Sequence, residues 1–153
     1  KDGTWIYDAD EAFPVSAEAL EELLARADFV SLHLPLTGST RHFVDGAMFS
    51  RMKRGAYFIN TSRGPVADEQ ALIRALQEGQ LQGAVLDVFE TEPVDPDNPL
   101  LAMDNVMLSS HTAAGSLHAQ RKVLQACCDT ILDYHRGTLR GNVINRDKVT
   151  VRG

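Results

Sequence analysis

Short apolar runs alternate along the chain with stretches whose apolar residues recur every three or four positions. Phe29 to Leu34, Ala56 to Ile59, Gly83 to Leu86 and Val106 to Leu108 are of strand length and largely apolar. Such runs predict strands of a parallel sheet, buried on both faces. Thr4 to Tyr7 reads as a further short strand. Helical spacing fills the intervals. Leu20, Leu23, Leu24 and Ala27 share one face behind Ser16, a suitable N-cap. A short helix is expected around Asp45 to Met52. Ala71, Leu72, Ala75 and Leu76 form a stripe that Asp68 can cap and Gly79 can end. Ser116 opens a long helix to about His135, with Leu117, Leu124, Cys127, Cys128 and Ile131 at helical spacing. Pro93, Pro96 and Pro99 mark a loop, because repeated proline sustains neither helix nor central strand. The alternation of strand and helix predicts an α/β fold, a right-handed doubly wound parallel sheet.

At 153 residues the chain has room for one domain, and 44% hydrophobic with 24% charged residues is ordinary globular composition. The net charge of -6 argues against a nucleic-acid partner, which favours clustered Lys and Arg. No apolar stretch approaches the roughly 20 residues that a membrane span needs. No leader peptide is visible, but the chain begins at Lys1 rather than Met, so the true N-terminus is expected upstream. Cys127 and Cys128 are adjacent in a predicted helix, where neighbouring side chains diverge, so a disulfide between them is not expected. They read as small apolar residues on or near a buried helix face.

Three motifs change this picture. Arg63 lies in Asn60-Thr61-Ser62-Arg63-Gly64, just past the run Tyr57-Phe58-Ile59. Glu92 lies in Asp87-Val88-Phe89-Glu90-Thr91-Glu92-Pro93, and His111 in Ser109-Ser110-His111-Thr112-Ala113-Ala114-Gly115. A cation, an acid and an imidazole thus follow the carboxyl ends of three predicted strands, the edge where open α/β sheets bind ligands. Taken singly, each could be an ordinary loop residue. His33, His42, His118 and His135 show no shared metal-ligand spacing and read as structural.

These motifs, with Leu34-Pro35-Leu36-Thr37 upstream, closely resemble the D-isomer-specific 2-hydroxyacid dehydrogenases from about Ala19 to Asn145. The resemblance implies a Rossmann-like nucleotide-binding domain and hydride transfer between NAD or NADP and a 2-keto or D-2-hydroxy acid. His111 would then be the acid/base, and Glu92 its partner, since a nearby carboxylate favours the imidazolium form. Arg63 would bind the substrate carboxylate through its planar fork of donors, and Gly64 would let substrate approach the backbone. Leu34 and Pro35 would sit beside the adenosine portion of the cofactor. Thr61, Ser62 and Arg63 would line the nicotinamide side, Asp87 would accept hydrogen bonds near the carboxamide, and His111, Thr112, Ala113 and Ala114 would flank the ring. The resemblance also implies a homodimeric, cytoplasmic parent enzyme. Glu92 separates the chain from formate dehydrogenase, which carries glutamine there. Ser110 stands where the family usually has proline, and Ala67 where it has a branched apolar residue; both leave the substrate subgroup open.

The family's G-x-G-x-x-G fingerprint does not occur. In the strand order 3-2-1-4-5-6 the chain would hold strands 3 to 6 and one more, with Trp5-Ile6-Tyr7 as the third; Asp8 would read the ribose only if that strand were instead the second. Residues 1–153 are accordingly read as the C-terminal portion of an NAD(P)-binding domain, partial and inactive alone, with 137–153 leading back toward a substrate domain. An NAD(H)-sensing corepressor-like protein and a nonfunctional half-domain are the alternatives.

Overall fold

A computed structural model describes residues 17–139. The expected strand at Thr4 to Tyr7, Asp8, the Ser16 cap and the tail beyond Leu139 lie outside the described residues. The described elements are α1 (Ala17–Arg26), β1 (Phe29–Leu32), α2 (Gly46–Arg51), β2 (Ala56–Asn60), α3 (Glu69–Gln77), β3 (Leu81–Leu86), β4 (Val106–Leu108) and α4 (Leu117–His135). Single turns of 3-10 helix at Gly64–Val66 and Pro99–Ala102 each carry proline in the first turn, where its missing N–H costs nothing.

The four strands form one parallel sheet in the order β1-β2-β3-β4. This is the α/β architecture the sequence predicts. Among the described strands the order never reverses, as in one half of a doubly wound sheet. Ala56, Phe58 and Asn60 of β2 and Ala84 and Leu86 of β3 are buried. The apolar ones among them join Leu24 of α1, Phe49 of α2 and the α3 stripe Ala71, Leu72, Ala75 and Leu76 in one core. Phe49 meets Phe58 edge to face at 5.1 Å between ring centroids, the arrangement the ring quadrupoles favour. The opposite sheet face is more open: Phe29 stacks on Tyr57 at 5.4 Å, and both are exposed. Phe29 to Leu34 is therefore not the buried strand its composition suggests. β1 is the sheet edge among the described strands and ends at Leu32.

Side chains close the helices where expected. Asp45 accepts from the Met48 N–H, Asp68 from the Ala71 N–H and Ser116 from the Ala119 N–H, each satisfying an amide that the first turn leaves unpaired. Gly79, at φ 65°, ends α3 in the left-handed conformation that glycine adopts without penalty.

The described residues fall into two compact units, divided between His111 and Thr112. In the second, α4 carries no buried residue. Cys127 and Cys128 are exposed free thiols, not the buried pair expected, because the apolar stripe they belong to lies open. Among the described residues no helix is long and apolar enough to cross a membrane.

Candidate functional site

Parallel strands end at a common edge, so the loops after β1, β2, β3 and β4 emerge together. Those loops carry Leu34-Pro35, Thr61-Ser62-Arg63, Asp87 to Glu92 and His111 respectively.

The loops after β3 and β4 meet through Glu92 and His111. The His111 Nδ1 lies 2.8 Å from Glu92 Oε2. An ionised carboxylate only accepts, so the shared proton sits on Nδ1, and Nε2 is the ring nitrogen that Glu92 does not engage. The other Glu92 oxygen accepts from the Phe89 N–H at 3.0 Å. These two hydrogen bonds, His111 first, hold the Glu92 carboxyl below its ordinary value; burial and the Asp87 charge oppose them and lose. His111 itself occupies the left-handed region at φ 58°, a costly conformation for a non-glycine residue and one concentrated at functional sites.

Asp87, at the head of the same loop, is buried at 3% exposure. The Ser109 hydroxyl donates to its Oδ1 at 2.5 Å, and its backbone N–H donates to the Asn60 carbonyl. A buried carboxylate is tolerated only with such partners, so the acid is built into the junction of β2, β3 and β4.

Arg63 is exposed, and its Nη1 donates to the neighbouring Ser62 carbonyl at 2.7 Å. Among the described residues it has no acidic ion-pair partner. Its loop is held from beneath by Asn60, 2% exposed, whose Oδ1 accepts from both the N–H and the hydroxyl of Ser62 and whose Nδ2 donates to the Arg63 carbonyl. Asn60 belongs to the Arg63 motif, but the motif alone assigns it no role. A polar residue ending an apolar strand run was the available signal.

Gly64 is required by the protein's own packing. A Cβ there would lie 1.7 Å from the Phe89 carbonyl oxygen. The absent side chain makes room for the backbone of the β3 loop.

His33, Leu34, Pro35, Leu36, Thr61, Ser62 and Arg63 line one open cleft of about 540 Å³. The sequence-selected cofactor residues after β1 and β2 thus come together. Thr112, Ala113 and Ala114 open the second unit, where the Gly115 N–H closes a turn onto the Thr112 carbonyl. A larger groove runs along α1 and β1, but its Glu22 and Arg26 pair with each other and it holds no comparable chemistry. Among the described residues no cluster could hold a metal ion.

The family model for the D-isomer specific 2-hydroxyacid dehydrogenase NAD binding domain matches residues 6–113. The chain is 43% identical over 145 residues to a glyoxylate reductase of Korarchaeum cryptofilum, covering 95% of this chain and 44% of the relative. It is 45% identical over 139 residues to glyoxylate/hydroxypyruvate reductase B of Salmonella gallinarum, covering 90% and 43%. The chain thus spans less than half the length of these curated relatives. Among solved structures it is similar to a D-isomer specific 2-hydroxyacid dehydrogenase from Xanthobacter autotrophicus in complex with NADPH and MES, with a TM-score of 0.72 at 40% identity, covering 84% of this chain and 51% of that one. It is also similar to the NAD complexed form of the Lactobacillus delbrueckii enzyme, with a TM-score of 0.73 at 33% identity, covering 80% and 40%.

Proposed function

The chain belongs to the D-isomer specific 2-hydroxyacid dehydrogenase family through its NAD-binding domain, and from that membership we propose that the protein carrying it interconverts a 2-keto acid and a D-2-hydroxy acid using NAD(H) or NADP(H). The His111–Glu92 pair, 2.8 Å apart at the carboxyl edge of the sheet, carries this reading.

Thr61, Ser62 and Arg63 share an open cleft with Leu34 and Pro35; in this reading Leu34 and Pro35 take the adenosine portion of the dinucleotide and Thr61 to Arg63 the nicotinamide side. Asp87, buried at the same sheet edge, accepts near the carboxamide, and His111, Thr112, Ala113 and Ala114 flank the ring. When bound, the nicotinamide supplies or accepts the hydride. His111, its Nδ1–H held by Glu92, gives the Nε2 proton to the keto oxygen and becomes neutral imidazole; in the oxidising direction it takes that proton back. Glu92 keeps the ring oriented and balances the imidazolium charge before transfer. Arg63, charged and without an acidic partner among the described residues, binds the substrate carboxylate and draws electron density from the adjacent carbonyl. No feature of the site favours a corepressor role over this chemistry.

The same proposal assigns residues 1–153 to the C-terminal portion of an NAD(P)-binding domain, with 137–153 leading toward a substrate domain. Because no G-x-G-x-x-G seats the pyrophosphate, the 153-residue chain alone is expected to be inactive. A cytoplasmic homodimer is proposed for the whole protein on the family resemblance. The names of the relatives make glyoxylate and hydroxypyruvate the substrates to try first. Oxidation of NADH and NADPH is followed by the loss of reduced-nicotinamide absorbance with each acid and the full-length protein. Turnover that disappears in His111→Gln supports the reading; wild-type protein that oxidises neither cofactor with any small 2-keto acid overturns it.

A further inference from the structure

We infer that His42 is a positioning residue: through Glu90 it locks the loop bearing Glu92 to the loop bearing Arg63. The inference deepens the proposed function and rests on it for the roles of Glu92 and Arg63.

His42 reaches both loops. Its backbone N–H donates to the Pro65 carbonyl at 2.8 Å, in the turn that follows Arg63 and Gly64. Its Nε2 lies 2.6 Å from Glu90 Oε1, and Glu90 stands two residues before Glu92. The carboxylate can only accept, so Nε2 carries the proton. Glu90 is then fixed on its other side. Its Oε2 accepts from the Glu69 N–H at 3.2 Å, its own N–H donates to Glu69 Oε2 at 2.9 Å, and Glu69 Oε1 accepts from the Asn98 amide at 2.8 Å. Glu69 is the first residue of α3, where backbone amides and the helix dipole favour an acid. The segment Phe89-Glu90 is therefore fastened to α3, to His42 and, through the Gly64 contact, to the Arg63 turn. The Phe89 N–H that anchors Glu92 belongs to this same segment.

Stability does not explain the arrangement. The His42 and Glu90 side chains are 42% and 30% exposed, and pairs so open to water contribute little. His42 also sits at φ 51°, a left-handed conformation whose cost is at least as large. What the pair fixes is geometry. Glu90 cannot swing away while His42 holds it, so Glu92 stays where its Oε2 meets His111 Nδ1.

The test uses full-length protein carrying His42→Ala or His42→Gln, with glyoxylate turnover and the ¹⁵N tautomer signature of the His111 ring as readouts. His42→Ala is expected to lower kcat about tenfold, less than the roughly hundredfold that a misplacement of about 1 Å can cost. KM is expected to change by under about twofold. The Nδ1–H tautomer of His111 should lose population to Nε2–H, and His42→Gln, whose amide can still donate to Glu90, should restore most of both. Wild-type kcat and tautomer ratio in His42→Ala, even with a lowered melting temperature, overturn the inference. If His42→Ala does not fold, Glu90→Ala, which removes the acceptor, is read by the same two measures with the same expected losses. If the wild type shows no turnover, the proposed function fails on its own, and the tautomer ratio still decides whether His42 positions the pair.

Discussion

Gly64 and Phe89 approach so closely that a Cβ on the glycine would stand 1.7 Å from the Phe89 carbonyl oxygen and 2.0 Å from its carbon. Both atoms are backbone, so no side chain can move aside. Gly64→Ala must push the β2 and β3 loops apart, separating Arg63 from the segment that anchors Glu92. Overpacking against a buried backbone predicts a loss of about 3 kcal/mol of stability. Chemical denaturation measures it. A loss within about 0.5 kcal/mol, the usual scatter of surface substitutions, would show that the two loops part freely.

Asn60 is the counterpart on the other side of the Arg63 turn. It satisfies two donors of Ser62 and one acceptor of Arg63 from a position 2% exposed. Asn60→Ala strands those groups in a partly buried site and is expected to cost about 2 kcal/mol. Asn60→Asp keeps the acceptor toward Ser62 but loses the donor toward the Arg63 carbonyl, so it should retain more substrate affinity than Asn60→Ala only if the Ser62 bonds matter most. Thermal melts and KM for the keto acid, taken on both variants, separate the two contributions.

Strands and positions near them are legible in the sequence; ties between loops, apart from the Glu92–His111 pair that the resemblance implies, are not. The run from Ala56 shows β2 directly, whereas exposed Gln82 interrupts the apolar pattern and hid the start of β3 at Leu81. Leu34 was read into β1 because it is apolar, but it packs against the core from outside the ladder, two residues past the last strand position and next to Pro35, which restricts it. Arg63, Glu92 and His111 stand out because each lies in a compact local motif, and the pairing of Glu92 with His111 is what the family resemblance implies. The His42–Glu90 bond joins residues 48 positions apart. No local pattern encodes such a contact; it exists because the sheet brings the two loops to one edge.

Arg63 is expected to be intolerant even of lysine. Its guanidinium donates to the Ser62 carbonyl and retains donors for a carboxylate. An ammonium offers the charge without the planar fork. Arg63→Lys should therefore raise KM for a 2-keto acid roughly 30-fold, corresponding to about 2 kcal/mol for a charge-assisted hydrogen bond, and leave KM for the reduced cofactor nearly unchanged. A steady-state analysis varying each substrate tests it. Equal rises in both constants would mean that Arg63 shapes the cofactor cleft rather than holding substrate.

Glu92 gives the site a pH signature with a defined sign. Its carboxyl is held below the ordinary value, first by the His111 hydrogen bond and then by the Phe89 N–H. In the unfolded chain it returns to about 4.3, so between the two values the unfolded state binds more protons and stability rises with pH. The contribution is complete above the unfolded value and is lost as pH falls through the folded one. Glu92→Gln removes the titrating group, so its melting temperature should lie below that of the wild type at pH 7 and converge on it in acid. Because the side chain is 39% exposed, the gap at pH 7 is expected to be small while the catalytic loss is not. With the ring no longer held by an anion, kcat should fall at least about tenfold, a part of the roughly hundredfold or more that a positioned acid/base contributes. Melting curves that remain parallel down to pH 3 would assign the low carboxyl value to the unfolded state as well, and would separate the pair's role in the reaction from any role in folding.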